Sequence, residues 1–137
     1  MRLILMPNDT KQSNQTILDF FGQDKEQAAQ QLDQYVIQGT KLIHSPETAD
    51  EVINMLKGNP DPIQGASSVL VGIMHRLDSA AGQAGDTIND LVKLEGSLDL
   101  LNQIVEIGEA SKAIPKKMAA EDIQASLALS VQNYVKD

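Results

Sequence analysis

From Asp24 onward apolar side chains return every three or four residues, the spacing of one face of an α-helix, and Gly and Pro punctuate the pattern. Asp24 can cap a first helix whose stripe is Ala28, Leu32, Tyr35 and Val36. Gly39 weakens or ends it, and Lys41–Ile43 continue it briefly. Ser45-Pro46-Glu47 reads as a second start, with Ser45 as cap, Pro46 at the first helical position and Glu47 in the first turn. Its buried face is Val52, Ile53 and Leu56, broadened by Met55, and it stops at Gly58 before Pro60.

Asp61-Pro62 repeats the device and opens a central helix with Ile63, Ala66, Leu70, Ile73, Leu77 and Ala80 as its stripe, widened by Val69 and Met74. The "GQAG" at Gly82–Gly85 is the next turn, and Asp86 or Thr87 caps the fourth helix. A long stripe then runs through Ile88, Leu91, Val92, Leu94, Leu98, Leu101, Ile104, Val105 and Gly108, with Gly96 marking a bend or a close helix crossing. Ile114-Pro115 ends it, and a last helix from about Met118 carries Ile123, Leu127, Val131 and Tyr134. The expected fold is all-α, a single bundle of about five helices over residues 24–137, preceded by an extended N-terminal arm over residues 1–23.

The arm breaks the helical pattern. Leu3–Met6 form a short apolar patch that Pro7 ends, with a strand conceivable only at Leu3–Leu5, and "NDTKQSNQT" at Asn8–Thr16 is polar and without period. Then come Ile17, Leu18, Phe20 and Phe21, which include both phenylalanines of the chain. Burying one Phe stabilises by roughly 1.5–3 kcal/mol, so two left exposed side by side would be an aggregation hazard. Either they fold back onto the bundle or they anchor in a groove on a partner. The second account is favoured slightly, and it makes Leu3, Leu5, Ile17, Leu18, Phe20 and Phe21 the expected partner-binding residues.

Charge narrows the partners. The chain carries 19 acids against 11 bases, a formal net charge of -8 over 137 residues. Phosphate backbones are held by clustered Lys and Arg, and Lys112, Lys116 and Lys117 near a break read as a solvated end. Direct nucleic-acid or anionic-membrane binding is not expected. The aliphatic composition, with no Trp and only Tyr35 and Tyr134 beside the two Phe, favours helix-on-helix packing over a β-sandwich. "MRLILMP" is too short in apolar residues for a secretory signal, and "VLVGIM" at Val69–Met74 is too short to span a bilayer, so a soluble protein is expected.

Candidate chemistry is sparse. The absence of cysteine removes disulfides, thiolate catalysis and Cys-based zinc sites. His44 precedes a cap, and His75, beside Arg76, reads as a polar-face residue outside any metal-binding pattern. The Ser and Thr residues fall at caps and turns, and no GxSxG elbow occurs. "GQAGDT" resembles a phosphate-cradling turn but lacks the lysine and the preceding strand. Glu121-Asp122 and Asp86 with Asp90 read as helix-start charges. Gly65, Ser68 and Gly72 within "GASSVLVG" would let another helix approach closely, more readily within the chain than across subunits. No catalytic, metal-binding or cofactor-binding residue is expected.

"LIHSPETADEVINMLKGNPDPIQGASSVLVGIMHRLDSAAG" and the acidic helix after it, residues 42–105, resemble small helical virion proteins of tailed bacteriophages. The shared features are a capped helix, a glycine–proline joint, and an Ala/Ser/Val-rich helix ending in a small-residue turn. The resemblance implies a structural or assembly role in a particle, without cofactor, in contact with subunits of the same or neighbouring virion proteins, and a homo-oligomer. The rival reading is a cytoplasmic acidic binding module or regulator of bacterial origin, which the charge supports and the dispersal of acids over all helices opposes.

Overall fold

The computed structural model describes residues 25–136. They form five α-helices and, among the described residues, no strand: α1 Lys25–Ile43, α2 Pro46–Lys57, α3 Pro62–Gln83, α4 Asp90–Ala110 and α5 Ala120–Lys136. The all-α expectation holds. The arm, with Leu3, Leu5, Ile17, Leu18, Phe20 and Phe21, lies outside the described residues.

Helix boundaries follow local chemistry. At α3 the Asp61 carboxylate accepts a hydrogen bond from the Ile63 amide at 3.0 Å, with Pro62 at the first helical position. At α2 the position is as expected but the device differs. Ser45 has extended backbone and no side-chain cap bond; its hydroxyl donates back to the Leu42 carbonyl at 2.9 Å and closes α1 instead. After α3, Gly85 sits at φ +82, the Asp86 amide reaches the Ala81 carbonyl at 2.8 Å and the Gly85 amide that of Gly82 at 3.0 Å. This pair of bonds satisfies carbonyls that the helix end would leave bare, and it needs a left-handed residue that only Gly adopts cheaply. The cap of α4 is neither Asp86 nor Thr87 but Asn89, whose side chain accepts from the Leu91 amide at 2.8 Å. The connector before it is pinned by Gln31, whose amide donates to the Thr87 carbonyl at 3.0 Å and accepts from the Asn89 amide at 2.9 Å. The last helix starts at Ala120; Met118 is instead buried in the core, its amide donating to Glu109 at 2.8 Å.

The helices surround one apolar core that includes Tyr35, Ile43, Leu70, Leu100, Leu101 and Ile104. The closest partners are not neighbours in sequence. α1 runs parallel to α4, with Tyr35 against Gly96 and Gly39 against Leu100, and α3 runs parallel to α5, with Ser67 against Ser130. α2 folds back antiparallel on α3 and also touches α4 and α1.

Packing corrects the expected stripes. Gly39 does not end α1: the helix continues to Ile43, because Gly39 is buried where a Cβ would stand 2.5 Å from a methyl of Leu100. Gly96 marks the reciprocal crossing, with a virtual Cβ 2.4 Å from the Tyr35 ring. This contact sets the rotation of α4, so its buried face is Val92, Gly96, Ser97, Leu100, Leu101, Ile104, Val105 and Gly108. Leu94 and Leu98, expected inside, are 45% and 41% exposed. Met55, Ala80 and Val131 are exposed too.

Along α5, Ile123, Leu127 and Tyr134 pack on the core only partly, and the fully buried side chains are Ser126 and Ser130. Their hydroxyls satisfy themselves in place. Ser126 donates to the Ile63 carbonyl at 2.9 Å, and Ser130 Oγ lies 2.7 Å from the Ser126 carbonyl and 3.0 Å from Ser67 Oγ. The close approach expected along "GASSVLVG" is therefore made within the chain at Ser67, while Ser68 and Gly72 are exposed.

Candidate interaction site

Two concavities and one polar cluster stand out among the described residues. The larger concavity is a groove of about 690 Å3 between α1 and α3, closed at one end by the α3–α4 connector. Tyr35 and Leu42 on α1 face Leu77, Ala80 and Ala81 on α3 and Ala84 just beyond it, and Ile88 completes the apolar lining. Gln31, Gln34 and Gln38 edge the α1 side, and Lys41 and Arg76 lie toward the end at Ser45. Arg76 is held by Glu51 at 3.1 Å and Thr48 at 3.4 Å. The volume falls in the range of ligand and peptide sites. One physical reason for the hollow is that beyond Leu77 the α3 side presents only alanine methyls to it.

The smaller groove, about 300 Å3, lies on the other flank of α1, where Leu32, Val36 and Ile37 meet Glu95 and Asp99 of α4 with Asp33 at the edge. Asp99 accepts from Gln103 at 3.1 Å, and Gln103 in turn donates to Thr40 at 2.9 Å and accepts through its amide oxygen from His44 Nε2 at 3.2 Å. His44 is thus a helix-end partner of an amide.

The polar cluster ties three helices together. Tyr134 of α5 donates to Asp78 of α3 and accepts from the Lys93 ammonium of α4 at 2.7 Å; Lys93 also pairs with Asp78 at 3.3 Å. His75 stacks on the Tyr134 ring at 5.1 Å. Burial and the bond to Asp78 push the Tyr134 phenol up, with Lys93 pulling the other way. Burial alone would lower Lys93; its bond to Tyr134 and the Asp78 carboxylate outweigh that and push it up. A phenol held protonated beside a neutralised carboxylate is a poor base or nucleophile at neutral pH, so this arrangement is a clamp between helices. Beneath it the Tyr35 phenol is only 4% exposed and makes no hydrogen bond, like the nearby Ser97 hydroxyl. Burial pushes Tyr35 up to about 12, while Ser97 pulls the other way, short of hydrogen-bond geometry.

Among the described residues no three His, Asp or Glu side chains gather as a metal-binding group, and no helix is long and apolar enough to cross a membrane. The expected partner-binding residues all precede Lys25, so the grooves are features that periodicity did not locate. Their signal was present but faint: Gln31, Gln34 and Gln38 recur at helical spacing on one flank, and alanines cluster late in α3. Compared with known protein families, curated proteins and solved structures, the chain matches none.

Proposed function

We propose that this protein is a non-enzymatic structural or assembly component of a phage-like particle, present in several copies and held by helix faces together with its N-terminal arm. The observation that carries the reading is a pair of apolar stripes left outside a well-filled core. Leu94 and Leu98 on α4 and Val131 and Val135 on α5 are each one helical turn apart and exposed. Residues four apart form a continuous strip on a helix, and such strips mark contact surfaces more than singly scattered apolar residues do. The resemblance of residues 42–105 to small helical virion proteins supplies the setting, and the phenylalanine pair at Phe20 and Phe21 supplies a second grip.

The test has two arms. Sedimentation velocity of the full chain over increasing concentration is expected to show association, weakened by Leu94→Glu with Leu98→Lys. A compact monomer at every concentration, unaffected by those changes, overturns the reading in favour of an acidic regulator. A mass-spectrometric inventory of purified particles is expected to contain the chain in multiple copies, and deletion of residues 1–23 is expected to abolish its incorporation.

A further inference from the structure

The α1/α3 groove is shaped for an extended apolar segment. Its α1 wall runs from Gln31 to Leu42, eleven helical steps and so about 16 Å. Its α3 wall carries Arg76 and Leu77 and then only alanines late in the helix, which leaves depth for large side chains at that end.

The chain itself carries a segment of matching length and chemistry. Twenty-four residues precede Lys25, and within them Ile17, Leu18, Phe20 and Phe21 form an apolar cluster around the single acid Asp19. Five extended residues span about 17 Å. Only Gly22, Gln23 and Asp24 separate Phe21 from α1. Three residues reach about 10 Å, and Gln31 lies about 9 Å along α1 from Lys25. A chain turned back at Gly22 therefore meets the near end of the groove and can follow it antiparallel to α1. Charge does not oppose the fit: the groove carries Lys41 and an Arg76 already paired with Glu51 against one lining acid, Asp86, while residues 12–24 hold Asp19 and Asp24 and no base.

We propose that the α1/α3 groove is the seat of residues 17–21 of this same chain, with Phe21 over the alanine wall, Leu18 and Phe20 turned toward α1, and Asp19 at the end of the groove that holds Lys41 and Arg76. Every copy carries both the segment and the groove, so copies can exchange segments at little cost. In that form the inference rests on the assembly reading and names the contact it uses; the groove's occupant does not depend on it.

Because the chain has no cysteine, paired substitutions in the full chain report the contact directly. Phe21→Cys with Ala84→Cys probes the near end, and Leu18→Cys with Lys41→Cys the far end; Ala84 and Lys41 are exposed, so neither change threatens the core. Phe21→Cys with Asn102→Cys, on the outer face of α4, is the control. Under mild oxidation both groove pairs are expected to close at least tenfold faster than the control, read by non-reducing electrophoresis and peptide mass mapping. Equal rates overturn the assignment. Mixing singly substituted Phe21→Cys and Ala84→Cys chains separates the two readings. Disulfides between chains support groove and assembly together. Groove disulfides formed only within a monomeric chain keep the groove assignment and remove the arm from assembly.

Discussion

The ring of Tyr35 occupies the space that a side chain on Gly96 would need: a Cβ there would stand 2.4 Å from ring atom Cδ2. One turn further along each helix the roles reverse, with Gly39 of α1 receiving Leu100 of α4. Two small-to-large pairs in opposite senses lock the α1–α4 crossing in position and in rotation.

Gly96→Ala is accordingly expected to destabilise. Alanine gains up to about 1 kcal/mol of helix propensity, but overpacking against a buried ring costs about 1–3 kcal/mol. The net loss should appear as a lower midpoint in urea with an unchanged slope. Combining it with Tyr35→Leu should recover most of the loss, a non-additivity that a double-mutant cycle measures.

Alkaline pH should weaken the fold through the same tyrosine. A phenol with a folded pKa raised from 10.0 to about 12 keeps its proton longer than the unfolded chain does. Its contribution is fully present below pH 10.0 and is lost as pH rises from 10.0 to about 12. Tyr134 and Lys93 are raised as well and act in the same direction. Stability measured by denaturant melts across this window should fall, and Tyr35→Phe should flatten the fall. At neutral pH that variant should be nearly neutral, because the hydroxyl it removes has no hydrogen bond to lose.

The α3–α5 seam tolerates only small side chains. Ser130→Leu should cost about 1–3 kcal/mol by forcing the helices apart. Ser130→Ala should cost about 1 kcal/mol, since Ser67 loses its hydroxyl neighbour. If thermal melts showed leucine to be the milder change, serine at this seam would be a polar accident.

Lys112 is the one described non-glycine residue with positive φ, at 65°, just beyond the end of α4. Left-handed backbone costs an L-residue about 1–2 kcal/mol, and the Lys112 side chain is exposed with nothing to offset it. Lys112→Gly is expected to raise stability by about 0.5–1 kcal/mol after the glycine's own entropy is counted. A rise of a few degrees in Tm checks it.

Helix existence was legible because punctuation is local: Pro46, Asp61-Pro62 and Gly85 act through backbone chemistry within a few residues. Helix rotation was less so. Leu94 and Leu98 read as core by hydropathy, yet the α4 face is chosen by Gly96 and Ser97 meeting an aromatic ring some sixty positions earlier. Gly39 misleads for the same reason, since its propensity says break while a distant leucine fills its hollow. The groove was hardest to anticipate, because a hollow is made by what two helices fail to fill. Alanines that look like good helix formers become a wall only once α1 lies across from them.

The interleaving of the helix pairs, α1 with α4 and α3 with α5, leaves nowhere to divide the molecule. A cut between α1 and α4 separates one pair, and a cut between α4 and α5 separates the other, so neither fragment keeps a finished core. During synthesis α1 leaves the ribosome without the surface it is built to meet, and must wait for some sixty more residues before Leu100 and Gly96 arrive. The packing surface of α1 is therefore completed only once α4 has been made.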